Sequence, residues 1–255
     1  MSGRFEELVA LVTYANVSLQ SEEIQFDLGR ATTEYCPRLE FIKQPPESIA
    51  SSTVYVASNA EKWFAYLKEQ NAKRVKLHYV DQTRMDIPDH ISAAFVGGGG
   101  DWQIEVQYGD KNELYVGGER NQWVLLEKES KPLDAVSHSV GDAKERLDGI
   151  LQKISSFAGR FEHTQHWSNI FKNAHETLTE FESHPSDVFI PFGVYSKEAR
   201  QLIEASFLSS SVFGGMGSWN DQAFGEEDNK LYNAYSKDLY DATRHGIVAG
   251  INSYP

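Results

Sequence analysis

Thiols are almost absent: Cys36 is the single cysteine among 255 residues. One thiol closes no intrachain disulfide. No neighbouring base marks it as a nucleophile, so it reads as a small apolar residue. Basic residues are scarce as well. Lysine and arginine number 24 against 37 aspartates and glutamates, a formal net charge of −13. Nucleic-acid binders gain affinity by setting Lys and Arg against phosphates, so this balance speaks against a nucleic-acid partner. It permits a basic protein partner, although solubility alone would also explain it. Apolar runs long enough to span a bilayer are missing, and no membrane partner is expected. Glu6 and Glu7 stand where a signal peptide would turn apolar, which points to a cytoplasmic location.

The usual catalytic signatures are missing too. Ala57, Ser58 and Asn59 follow a predicted strand where a dinucleotide loop would need glycines. Ser218 is not in a G-x-S-x-G elbow. His163, His166 and His175 lie near one another, with Glu176 beside the last. They do not form the H-E-x-x-H pair that puts two ligands one helical turn apart. His78, His90, His138, His184 and His245 are scattered and carry no pattern. No cofactor and no metal are expected, and no catalytic residue is assigned.

What is present is a change of period along the chain. Phe5, Leu8, Val9 and Val12 have the spacing of an N-terminal amphipathic helix. A short strand is expected over 38–42 and another over 53–56. Ser58 or Asn59 then caps a helix carrying Trp63, Phe64 and Leu67, and a strand follows over 74–80. Strand, helix, strand at this spacing suits a right-handed βαβ crossover. A further strand is expected over 93–96, ended by Gly97 through Gly100. After it, Trp102, Ile104, Val106 and Tyr108 alternate, a turn at 109–112 leads into 114–116, and 123–126 completes an antiparallel meander. Gln103, Glu105 and Gln107 between the apolar positions predict one solvated face.

Beyond Pro132 the period becomes helical. Ser139 and Asp142 resemble a capping box before a stripe of Ala143, Leu147, Ile150, Leu151, Ile154 and Phe157. Trp167, Ile170, Phe171, Ala174, Leu178 and Phe181 predict a second helix, and Ser196 starts a third. A last helix is expected from Glu226, with Leu231, Tyr235, Leu239 and Ala242 inward and Glu226, Glu227 and Asp228 at its positive end. The fold class is therefore α+β. The N-terminal half holds a mixed or antiparallel sheet with one or two helices, and the C-terminal half a bundle of about four helices. The expected parts are 1–132, sheet-rich, and 133–255, helical, possible also as one compact unit.

The segment hardest to explain by packing is 212–221. Gly214, Gly215 and Gly217 fall within four positions and are followed by Ser218, Trp219, Asn220 and Asp221. Glycines free the backbone, and Gly214 suits the left-handed position after a helix end. The next four residues bring a hydroxyl, an indole N–H, an amide and a carboxylate. Because the glycines follow a helix, this is not a phosphate loop. Two readings remain. Trp219 fills the core while Asn220 and Asp221 tie the turn; or Trp219 stacks on a ligand while Asp221 fixes a cation or acts as a base. The seven named residues are the candidate binding site on the second reading.

The stretch Gly214-Gly215-Met216-Gly217-Ser218-Trp219-Asn220-Asp221 resembles one shared by a group of uncharacterised bacterial proteins. The resemblance covers the last third to half of the chain. It implies that the loop defines a family, and a link to toxin systems, but no reaction. Composition and pattern together point to a soluble intracellular binding protein without catalytic activity, recognising a basic protein partner in the manner of an immunity protein. Two alternatives stand beside it: a small-ligand binder or enzyme with its site at 214–221, and an oligomeric scaffold. The sequence leaves the oligomeric state open.

Overall fold

A computed structural model describes residues 2–20, 39–43, 54–79, 102–109, 111–117, 122–126, 139–180, 194–214 and 217–255. The chain is α+β, with a six-stranded mixed sheet in its N-terminal half and helices mostly in its C-terminal half. It divides into two compact units, residues 7–136 and residues 137–255 together with 1–6.

The sheet unit contains most of α1 (Ser2–Gln20), then β1 (Glu40–Lys43), β2 (Val54–Ala57), α2 (Ala60–Glu69), β3 (Arg74–Tyr79), β4 (Trp102–Gln107), β5 (Asn112–Gly117) and β6 (Gln122–Leu126). The strand order is β2-β1-β6-β5-β4-β3. β1 runs parallel to β6, and every other pairing is antiparallel. The expected meander is β4-β5-β6, and Tyr108 N–H donating to the Lys111 carbonyl closes its first turn. The expected crossover from β2 through α2 to β3 is present, since the pairings make the two strands parallel, but it spans the sheet. The two strands lie at opposite borders of the sheet with four strands between them, so they are not paired neighbours.

Between the cap candidates, Asn59 is the one that acts. Its side chain accepts from Lys62 N–H at 2.9 Å and starts α2. This helix buries Trp63, Phe64 and Leu67. The Trp63 ring stacks on Phe41 of β1 with centroids 4.2 Å apart and meets Tyr115 of β5 edge-on. Pairing registers place Phe41, Tyr115, Ile104 and Leu77 on one face, all wholly buried. Burying such a side chain contributes about 1.5–3 kcal/mol, so this face anchors the unit. The expected strand over 93–96 and its glycines lie outside the described residues, as do Cys36 and Phe181.

The helical unit is a closed ring of four helices: α3 (Val140–Ala158), α4 (Gln165–Glu180), α5 (Lys197–Ser210) and α6 (Glu226–Asn252). Each packs on the next, and α6 returns to α3. Ser139 and Ser196 cap α3 and α5, accepting from the N–H groups of Asp142 and Ala199. The stripe expected on α3 is the stripe buried, from Ala143 to Phe157. On α6 Leu239 and Ala242 are buried and Tyr235 packs on the core as expected, and the exception is Leu231. Leu231 is exposed and Tyr232 is buried, because Tyr232 reaches the corner before the helix, as described below. α5 and α6 approach closely through Gly246 and Gly250, where a Cβ would collide with Ser206 and Ile203.

Candidate functional site

The corner at 214–221 is built from its own backbone. α5 ends at Ser210, and Phe213 N–H donates to the Ser210 carbonyl. Among the described glycines only Gly217 has positive φ, at 81°, so the left-handed position expected of Gly214 belongs to Gly217. Gly215 and Met216 lie outside the described residues. Trp219 N–H reaches back to the Val212 carbonyl at 3.1 Å, which closes the corner. Ser218 starts a single 3₁₀ turn over Trp219–Asp221; its hydroxyl accepts from Asn220 N–H and donates to the Gly214 carbonyl. The Asp221 carboxylate accepts from Gly217 N–H at 2.6 Å, and Gln222 donates to the Ser218 carbonyl.

Trp219 is wholly buried. Its ring meets Phe171 and Tyr232 with centroids 5.2 Å from each, and Trp167 and Phe224 at 6.3 Å. The indole N–H donates to Ser236 at 2.8 Å. Tyr232 donates its hydroxyl to the Trp219 carbonyl at 2.6 Å; burial first, and the Asp221 charge second, raise the tendency of that hydroxyl to keep its proton. Of the seven candidate residues, the structure thus gathers Gly214, Gly217, Ser218 and Asp221 into one hydrogen-bonded knot and sends Trp219 inward. Asn220 and Asp221 are exposed.

The histidines do not converge. His163 sits in the turn before α4, against Phe161 and Phe224. His175 pairs with Asp148 at 2.9 Å. Among the described residues no group of three or more His, Cys, Asp or Glu side chains could hold a metal ion. No described helix is long and apolar enough to cross a membrane.

The borders of the sheet are treated differently from each other. At the β3 border Asn16 of α1, buried to 3% exposure, donates from Nδ2 to the Val75 carbonyl and accepts from Val75 N–H, both at 2.8 Å. At this one residue the side chain supplies the two bonds a neighbouring strand would make. At the other border, no described strand lies outside β2. Val54 is 54% and Tyr55 58% exposed, and the strand Val-Tyr-Val-Ala carries no charge. An unguarded border of this kind is a template for another extended chain.

The second feature that the sequence did not reveal is the polar face of the sheet. Gln103 and Glu105 are buried, with 4% and 5% exposure, so the expected solvated face is covered at these positions. His78 lies opposite Gln103 in register and is also buried. His78 Nε2 is 2.7 Å from Glu105 Oε2, and Asn112 and Gln107 donate to Oε1. The bond from His78, more than any other cause, holds the Glu105 carboxyl below its ordinary range. On the other face Tyr108 donates to Glu113 at 2.8 Å, and Tyr115 shares the same oxygen at 3.3 Å. Burial is the main reason both phenols hold their protons far above the ordinary range.

Comparison with known proteins adds no relative: no family model, no curated protein and no solved structure matches the chain.

Proposed function

We propose that the chain is a binding protein without catalytic activity, and that it receives an extended segment of a basic protein partner along the outer border of β2. The observation that carries this reading is the contrast between the two borders. Asn16 satisfies the N–H and carbonyl of Val75 in β3, whereas β2 is the outermost described strand at the other border, with Val54 and Tyr55 in solvent. A strand added there gains main-chain hydrogen bonds, and its alternate side chains meet the exposed valine and tyrosine. Charge selects the partner. The acidic surplus runs through the whole sequence, with 21 acidic against 14 basic residues in 1–136 and 16 against 10 in 137–255. Such a field draws in a basic chain and repels an acidic one or a second copy.

The test uses fluorescent peptides of alternating apolar and charged residues. Lys-bearing and Glu-bearing versions are titrated against the full chain at low and moderate salt. Binding of the basic version, weakened by salt and abolished by Tyr55→Pro with the far-ultraviolet spectrum unchanged, supports the reading. Equal binding of both versions, or binding that survives Tyr55→Pro, overturns it.

A further inference from the structure

One row of side chains crosses the sheet in register: His78, Gln103, Val116, Val124, Ile42 and Tyr55. All are buried except the last, and Tyr55 is 58% exposed. Its phenol ring therefore stands at the rim of this face, beside apolar Ile42. Val54, the next residue along β2, belongs to the opposite face, in a row with Lys43, Leu125 and Tyr115. Elsewhere the chain seats its own cations on its rings. The Lys111 ammonium lies 4.9 Å from the centre of Tyr108, and the Arg160 guanidinium 5.2 Å from that of Phe161. Among the described residues Tyr55 has no cation, ring or side-chain hydrogen-bond partner. The face of an aromatic ring attracts a cation, and does so more strongly as the pair leaves water. A strand laid along β2 would take water from this ring on one side.

We propose that Tyr55 selects arginine in the bound segment, whose guanidinium lies on the phenol ring. The proposal rests on the reading of the β2 border given above and adds a sequence rule to it. Among cations the guanidinium is the best fitted: it is planar, stacks on aromatic faces and gives up its water more readily than an ammonium. Successive side chains of an extended segment point to opposite faces. Arginines at alternate positions therefore fall on the Tyr55 face. The residues between them are apolar and meet Val54, on the face where Lys43 already brings an ammonium. The acidic surplus of the chain favours such a segment, and β2 itself holds no charge that would oppose it.

Four fluorescent peptides share one alternating frame and hold arginine, lysine, citrulline or glutamate at the polar positions. Each is titrated against the full chain at moderate salt and followed by anisotropy. Citrulline keeps the shape of arginine and lacks its charge. The expected order of affinity is arginine, lysine, citrulline, glutamate. Tyr55→Leu keeps an apolar side chain on the strand and removes the ring. It should lower the preference for arginine over citrulline about fivefold, whereas Tyr55→Phe and, on the other face, Val54→Leu should leave that preference in place. A preference unchanged by Tyr55→Leu, or lysine bound as tightly as arginine, overturns the choice of arginine while the border reading stands. No binding by any peptide, equal binding of all four, or binding that survives Tyr55→Pro overturns both.

Discussion

The corner at 214–221 and the border strand at 54–57 are opposites. The corner is conspicuous in the sequence and closed in the structure. Its hydroxyl and carboxylate are spent on its own backbone, its indole N–H is bonded to Ser236, and its indole ring is in the core. The border strand is four ordinary residues, Val-Tyr-Val-Ala, and it is the outermost described strand of a sheet whose opposite border is held at Val75 by Asn16. A dense set of polar groups shows only that something must be held. Whether the thing held is a ligand or the chain itself depends on where the hydrogen bonds end.

This contrast can be broken or sharpened by substitution, with stability read from urea unfolding. Trp219→Ala should cost the most, about 3–5 kcal/mol, as for other large aromatic deletions in a core; a loss below one kcal/mol would mean the corner is not anchored by its indole. Asn16→Leu keeps the bulk but leaves the Val75 N–H and carbonyl without partners, for about 2–4 kcal/mol. Asp221→Ala removes one bond from an exposed carboxylate to Gly217 and should cost about 1 kcal/mol or less. Tyr55→Ser should move stability by no more than about 0.5 kcal/mol, since its side chain is largely in water. That near-silence in stability, joined to a loss of peptide binding, distinguishes an open border from a packed one.

The polar pairs on the sheet give the comparison a pH axis. Glu105 has a folded pKa below its ordinary value, so its stabilisation is complete above the unfolded carboxylate range and is lost as pH falls through the folded value. Glu105→Gln should therefore flatten the acid limb of the stability profile. Tyr108 and Tyr115 are raised instead. The unfolded chain releases those protons first, so stability should decline above about pH 10, the ordinary range of tyrosine. Phenolate absorbance from these two should appear only with unfolding.

Much of the architecture was legible because it follows period and caps. The α3 stripe, the caps at Ser139 and Ser196 and the β4-β5-β6 meander all depend on neighbours in sequence. Strand order does not. Nothing local told β2 and β3 that four strands would separate them, although they run parallel as a βαβ crossover requires. Gln103 and Glu105 alternate as a wet face would; their burial and the approach of His78 emerge only once β3 and β4 are in register. Leu231 and Tyr232 show the same limit on α6. Helical spacing allowed either to face inward, and the hydrogen bond from Tyr232 to the Trp219 carbonyl decided it. At the corner, the residue types were legible but their partners were not. The Asp221 carboxylate had no visible reason to turn back to Gly217 until the path of the chain was known.

Hydrogen exchange of the β2 amides, with and without a saturating basic peptide, bears most directly on the open border. In the free chain the outward-facing amides of 54–57 should exchange fast while Val75, held by Asn16, exchanges slowly. On peptide addition the outward β2 amides should become protected and Val75 should not change. Slow exchange at the outward amides of β2 in the free chain, or peptide protection elsewhere with none at β2, would contradict the account.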